Sequence, residues 1–350
     1  MSMKKRLIAV IAAACAALGL TGAACAQDKV NVALASGGYL YVSVMVADVL
    51  GFFKSEGIEP NIYNAGSGTK AMSAIAAGEA QFSVTAPPSA FRAREKGIDI
   101  LTVGAAITQY ASNIVVSKKW VERTGVNAKS TYEQKLKALK GSTIGVSTAG
   151  SGTDQIVRYL ARRAGLNPDK DMTIATMGSG AAMLPALARD QIEGFSFSPP
   201  NPDVAIQKFG ATMLFDFSRG QVKELDGFLY QGVLVREGWA QKNSDLVVRF
   251  LKAVQQGLDV THSEQHHTRA RDAVWAKYFK QTEKALFDQI WVNMRPAYPT
   301  TVELNEGQMV RVAQFLADIN QPISADVLKT GWSNQYASRA VASLRGGARK

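Results

Sequence analysis

Thr143-Ile144-Gly145-Val146-Ser147-Thr148-Ala149-Gly150-Ser151-Gly152-Thr153-Asp154 is the stretch whose reading decides the fold. Its first five residues form a short β-rich run, Thr148 to Thr153 form a Gly/Ser/Thr loop, and a helical pattern follows to about Gly165. A strand that enters a helix through a tight polar loop is half of a βαβ unit. The same half-unit recurs on both sides. Upstream, strands are expected at 30–34, 58–63, 82–85 and 101–106, with helices at 40–53, from Gly66-Ser67-Gly68-Thr69 to Ala77, and from Pro87-Pro88-Ser89 to Lys96. Downstream, strands at 171–177, 194–198 and 212–217 follow the opening stretch, and a helix to Arg189 starts behind Gly178-Ser179-Gly180.

A new strand begins at 113–117, and the run 229–236 is placed back in the first unit. The chain therefore reads as two α/β lobes, each a mainly parallel sheet flanked by helices, with crossings near 107–118 and 215–230. Lobe 1 takes 27–112 and 218–350, and lobe 2 takes 113–217. Beyond Gly238 apolar residues recur at helical spacing over 246–259, 264–279, 282–294 and 306–319, which adds a helical C-terminal region. The polar end from Arg345 to Lys350 is expected to fray.

Residues 1–26 read as a secretory signal. Lys4, Lys5 and Arg6 precede an apolar run from Leu7 to Leu20, and Ala24-Cys25-Ala26 places small residues before a cleavage at Gln27. The run is shorter than the roughly 20 residues a membrane span needs. Lipidation at Cys25 is the weaker alternative, because the usual leucine three positions earlier is missing. Cleavage after Ala26 removes both cysteines, Cys15 and Cys25, so the exported chain must be held by burial rather than a disulfide. Losing the three leader cations lowers the net charge from +11 to +8. A basic surface favours anionic solutes. The cations are dispersed and not interleaved with aromatics, so nucleic-acid binding is not expected.

In open α/β sheets ligands lie outside the carboxyl ends of the strands. The loops there hold glycines that allow close backbone approach, hydroxyls, and the free N–H groups of helix starts, which attract anions. The candidate ligand residues are Ser36, Gly38 and Tyr39 after the first strand, and Ser67, Gly68 and Thr69 after the second. Thr85, Ala86, Pro87 and Ser89 form a rigid wall after the third. The second lobe supplies Ser147, Ser151, Gly152, Thr153, Ser179 and Ser198, and the crossings supply Tyr110 and Tyr230. Each Ser or Thr also serves as an ordinary helix cap, and both uses stand for Ser151 and Thr153. Phe197 lies near these loops and reads as core.

Three further segments carry a resemblance. Gly51-Phe52-Phe53-Lys54-Ser55-Glu56-Gly57-Ile58, Ala76-Ala77-Gly78-Glu79-Ala80-Gln81-Phe82 and Leu139-Lys140-Gly141-Ser142-Thr143-Ile144-Gly145-Val146 stand in a fixed order. Together they resemble the substrate-binding proteins of nitrate/sulfonate/taurine-type ABC importers, a group that includes thiamine-precursor binders. The resemblance covers nearly the whole exported chain. It implies a type II periplasmic-binding-protein-like fold that closes like a clamshell, a periplasmic location, and permease and ATPase partners in the inner membrane. The chain departs from that pattern in two places. Phe197-Ser198-Pro199-Pro200 replaces the Trp-Asp-Pro-like segment of sulfonate binders, and no arginine sits inside the candidate loops.

The expected function is therefore a monomeric solute-binding protein for a small organic anion (a sulfonate, carboxylate or related compound), with no cofactor and no metal. One alternative is a binding protein serving a non-ABC system. The other is an exported serine enzyme: Ser67-Gly68-Thr69-Lys70 matches S-x-x-K and Lys329-Thr330-Gly331 matches K-T-G. No S-D-N occurs, and the βα alternation around Ser67 does not suit that chemistry. His262 and His266 are four apart on one helical stretch beside Glu264, a pattern read as a solvated helix face.

Overall fold

The structure, a computed structural model, describes residues 27–347. The leader read at 1–26, with both cysteines, and the last three residues of the polar end lie outside the described residues. The strands are β1 (Asp28–Leu34), β2 (Ile58–Asn64), β3 (Phe82–Thr85), β4 (Ile100–Gln109), β5 (Asn113–Val116), β6 (Thr143–Val146), β7 (Thr173–Thr176), β8 (Gly194–Phe197), β9 (Thr212–Phe215) and β10 (Asp226–Arg236). They form two five-stranded sheets, in the orders β2-β1-β3-β10-β4 and β7-β6-β8-β5-β9.

Each sheet is parallel apart from its fourth strand. β1 runs parallel to β2 and β3, setting Val32 opposite Ile62 and Phe82. β10 is antiparallel to β3 and β4. In the second sheet β6 is parallel to β7 and β8, while β5 is antiparallel to β8 and β9. The chain passes from one sheet to the other through residues 110–112 and returns through 216–225. Two segments thus join the sheets.

Several helices depart from the sequence reading. The single helix expected over 40–53 is a 3-10 turn at Tyr39–Tyr41, a helix Val42–Val49 and a short helix Phe52–Ser55. Gly51 breaks it, with a φ of 76° that side chains disfavour. Lys118–Thr124, Tyr132–Lys137, Asn201–Phe209 and Ala325–Thr330 were hidden because short helices show little periodicity. Lys118–Thr124 is nonetheless well anchored: Ser117 caps it, and Trp120 donates its indole N–H to Ser142 Oγ at 2.7 Å. The expected frayed end is partly helical, since Arg345 and Gly346 belong to the helix Gln335–Gly347.

The C-terminal helices close the first sheet. Phe250, on helix Ser244–His262, stacks on Phe82 of β3 with ring centroids 3.9 Å apart and planes 8° from parallel. The same helix crosses Val42–Val49 at Gly257, where an added Cβ would stand 2.1 Å from the Ser43 carbonyl oxygen and 3.0 Å from its carbon. These obstacles are backbone atoms, which cannot rotate away. Gly257→Ala is therefore expected to lower stability by roughly 1–3 kcal/mol despite alanine's better helix propensity. Denaturant unfolding checks this, and an unchanged or raised midpoint would show that the helices separate freely.

Helix Asn201–Phe209 of the second lobe faces helix Lys284–Met294 across a crevice of about 430 Å³ lined by Asp203, Asp216, Arg219, Glu283 and Leu286. Gln207 donates to Glu283 across it at 3.1 Å. Asp216 accepts from the Ser218 hydroxyl and pairs with Arg219 at 3.2 Å, whereas Asp203 Oδ2 has no partner among the described residues. Burial first, and then the charge of Asp216, pushes Asp203 up to about 6, against the pull of Arg219. An unfolded aspartate titrates near 3.9, so between about pH 4 and 6 the folded chain holds a proton that the unfolded chain has lost. Stability contributed there falls as pH rises through that window. Asp203→Asn should therefore be more stable than the parent by about 3 kcal/mol well above pH 6 and equal to it near pH 3.5. Thermal unfolding across that range is the check; a difference independent of pH would assign the effect to packing.

Candidate functional site

The loops that follow β1, β2, β3, β6 and β8 meet in the gap between the sheets. There the structure encloses a cavity of about 30 Å³, room for roughly two water-sized groups. From the first lobe come Ser36, Gly68, Thr85 and Ala86; from the second, Ser147, Ser151, Gly152, Thr153 and Ser198. Tyr230 lies against it from β10. These ten sequence-derived candidates share one cavity. Ala35, Leu40, Tyr41, Ser112 and Gln231 also line it and were missed in the sequence reading, as does Phe197, which was placed beside these loops but read as core. Gln231 had a usable signal, as a lone polar side chain inside the apolar run of β10.

None of the described residues lining the cavity carries a charge. Its electrostatics come from backbone. Helices Gly68–Ala76, Pro87–Glu95 and Gly152–Arg163 all begin at this point, two from one lobe and one from the other. Each helix start carries roughly half a positive charge. The first residues of a helix have no intrahelical acceptor for their N–H groups. Those of Gly68, Thr69, Gly152 and Thr153 find none among the described residues. Glycine is needed at both facing starts. A Cβ on Gly152 would lie 3.0 Å from the Tyr230 ring, and one on Gly68 would lie 3.0 Å from Thr85 Oγ1 and 3.9 Å from Ser151 Cβ.

The hydroxyls divide into two sets. Ser151 donates to the Thr148 carbonyl at 2.7 Å and Ser147 donates to Ser151 at 3.0 Å. Thr153 Oγ1 is 3.0 Å from Ser147 Oγ and 2.8 Å from Ser151 Oγ, and accepts from the Ser147 N–H at 2.9 Å. A hydroxyl has one hydrogen to give, so this triad is largely self-satisfied. Ser151 also caps its own helix. It both caps and lines the cavity, leaving the backbone N–H groups beside it as the free donors. The second set is unsatisfied: Thr85 Oγ1, the Tyr41 hydroxyl and Gln231 Oε1 are buried and unpaired among the described residues. Buried polar atoms without partners cost roughly 1–3 kcal/mol each, and these three lie at one cavity.

Beneath the cavity, Ser112 and Tyr230 share a short hydrogen bond. Tyr110 donates to the Gly152 carbonyl at 2.6 Å and packs on Tyr230 at 4.2 Å between ring centroids. Burial holds both phenols well above their usual titration range, so both keep their protons.

Eight candidates lie elsewhere. Tyr110 is behind the cavity wall. Tyr39 is core, donating to the Phe287 carbonyl at 3.0 Å with its ring against Phe279 and Phe287. Ser67 accepts from the Lys70 N–H as a helix cap, and the exposed Lys70 makes the S-x-x-K match a capping pattern. Pro87 takes the first turn of its helix and faces Gly232. Thr69 and Ser89 bridge the lobes on the rim, donating to the carbonyls of Ala149 and Gly150 at 3.1 Å each. Gly38 and Ser179 line a second cavity of about 340 Å³. It shares Ser36 and Phe197 with the first and is likewise lined by uncharged residues. Neither His262 nor His266 lines either cavity, and His262 Nε2 is 3.2 Å from the Pro299 carbonyl.

Comparison with known proteins places this geometry among relatives. YtlA of Bacillus subtilis (strain 168) is 23% identical over 237 residues, 66% of this chain and 67% of that one. Among solved structures, the periplasmic nitrate-binding protein NrtA from Synechocystis PCC 6803 superposes with a TM-score of 0.76. It is 12% identical, with 91% of this chain and 89% of that chain covered. The periplasmic aliphatic sulphonate binding protein SsuA from Escherichia coli gives 0.64 at 16% identity, over 89% of this chain and 99% of that one. Both share the two-lobed fold of periplasmic binding proteins. The model of the family described as NMT1/THI5 like matches residues 41–267, and the chain belongs to that family.

Proposed function

We propose that the protein is the periplasmic solute-binding component of an ABC importer, exported by the leader at 1–26, and that it captures a small organic oxyanion between its lobes. One observation carries the choice of solute: helix starts from both lobes meet at an uncharged cavity with free N–H donors. Helix starts bind carboxylate, sulfonate and similar groups without a fixed cation. A positive side chain would hold a given anion more tightly, but its absence from the lining also lets the site release it. Nitrate and sulphonate, the ligands in the names of the two solved relatives, are oxyanions.

In this reading one lobe holds the head group at Gly68 and Thr85, and closure brings Gly152 and Thr153 onto it. Lobe 1 comprises 27–112 and 218–350, lobe 2 comprises 113–217, and the segments between the sheets absorb the rotation. Tyr110 and Tyr230 form a neutral, hydrogen-bonded floor. No step of chemistry is required of Ser67, whose hydroxyl is occupied in capping. The protein acts as a binder rather than an enzyme, with a permease and an ATPase as its partners.

Thermal unfolding of the chain from Gln27 onward, against inorganic nitrate, short alkanesulfonates, carboxylates, amines and neutral heterocycles, tests the reading. A ligand of the folded state at a hundred times its dissociation constant adds about 2.7 kcal/mol. Anions are expected to raise the midpoint and be recovered unchanged. A response confined to amines overturns the oxyanion reading, and a compound consumed in the assay overturns the binding function.

Thr85→Val gives a second check with opposite signs. It removes a buried hydroxyl that has no protein partner, so the ligand-free protein should keep or gain stability. The same change should weaken oxyanion binding by roughly 1–2 kcal/mol, measured by titration calorimetry. Unchanged affinity would place Thr85 outside the contact set.

A further inference from the structure

The first cavity holds a head group and little else. Organic ligands occupy sites of roughly 300–1,000 Å³, against about 30 Å³ here. The space of that size next to it is the second cavity, of about 340 Å³. Ser36 and Phe197 are the two residues common to both linings. Phe197 ends β8 and is nearly buried, at 7% exposure. Its ring lies against Gly180: a Cβ there would stand 2.3 Å from two of the ring carbons. Asn201 fixes the Gly180 loop by donating to its carbonyl at 2.6 Å. A flat ring seated on a glycine thus stands where the two spaces adjoin.

We infer that the solute is bipartite, with an oxyanion head at the helix starts and an uncharged tail in the second cavity, and that Phe197 is the residue that sets which tails are admitted. The inference rests on the oxyanion reading above and adds the class of tail and the residue that selects it. Asn64, Asn201 and Gln281 offer amides to the tail, and Phe279 offers a ring face. No charged side chain lines this cavity among the described residues, and a charged tail buried there would be unpaired, which is costly. The tail is therefore alkyl, aryl or neutral polar. Reaching the second cavity requires the Phe197 ring to turn aside, so the ring imposes a penalty that grows with tail bulk. Short anions do not meet it.

Titration calorimetry with methanesulfonate, butanesulfonate and benzenesulfonate on the parent, Phe197→Ala and Gly180→Ala tests this. In Phe197→Ala the two cavities merge, and the preference for butane- and benzenesulfonate over methanesulfonate should rise by about tenfold. In Gly180→Ala the new methyl drives the ring off its seat toward the head cavity, and the preference should fall. Phe197→Leu, with a smaller volume change, should lie between the parent and the alanine variant and stands in if the latter fails to fold by circular dichroism. Ratios that are the same in all variants overturn the role of Phe197 while leaving the oxyanion reading intact. A parent that binds no sulfonate of any length, and no carboxylate in the panel above, overturns both.

Discussion

Free backbone N–H groups at helix starts are the constraint around which this molecule is arranged. A helix cannot satisfy its own first amides, and a protein that buries them must supply an acceptor. Here two such starts, at Gly68 and Gly152, are buried facing one another from different lobes. Their glycines let backbone come close where any side chain would fill the gap. The parallel strands fix where this happens. Because β1, β2, β3, β6 and β8 deliver their carboxyl ends to the same gap, the loops holding Ser36, Gly68, Thr85, Ser151 and Ser198 are delivered there too.

The hydroxyls around this centre follow the same logic. Ser147, Ser151 and Thr153 satisfy one another and so hold the loop in shape. Thr85, Tyr41 and Gln231 do not find partners among the described residues and so carry an energetic cost. A solute that offered partners to these three atoms would offset that cost. The distinction separates residues that shape the site from residues available to a solute, and burial alone would have merged them, since both sets are nearly inaccessible.

Most of the architecture was legible in the sequence because it rests on local patterns. Strand runs of alternating or continuous apolar residues, each followed by a Gly/Ser/Thr loop, fixed eight or more of the elements and put the loops at the strand ends. Nine of the eighteen candidate residues follow from that single rule and line one cavity, with Tyr230 added from a crossing segment. The others failed for identifiable reasons. Tyr39 and Tyr41 are two residues apart on one 3-10 turn, and only the direction of the turn decides that Tyr39 enters the core while Tyr41 meets the cavity. Ser67 is a cap, and capping and ligand contact use the same residue types. Phe197 read as core because an aromatic at the end of an apolar strand usually is; its place between two cavities depends on Gly180, which comes from a different loop.

The contacts that bridge the lobes bear on how such a protein works. Thr69 and Ser89 reach the carbonyls of Ala149 and Gly150, and the Tyr39 N–H reaches the Pro199 carbonyl at 3.3 Å. Each is a neutral hydrogen bond worth roughly 0.5–1.5 kcal/mol net, the first two on the rim and the third buried. Together they set a bias toward closure of the same order as thermal energy per bond, which a rotation at the two crossing segments can reverse. A solute shifts that balance only through contacts it makes in the closed form and lacks in the open one. In the function proposed above, Gly152 and Thr153 make such contacts, because closure brings them onto a solute held by the other lobe. In the function proposed above, the rim bonds bias how readily the lobes meet, and the helix start at Gly152 holds the solute that keeps them together. Under the same proposal, dividing the two tasks between exposed rim and buried centre lets solute affinity change, by substitution at Thr85 or Phe197, without altering the surface that closed lobes present to a partner.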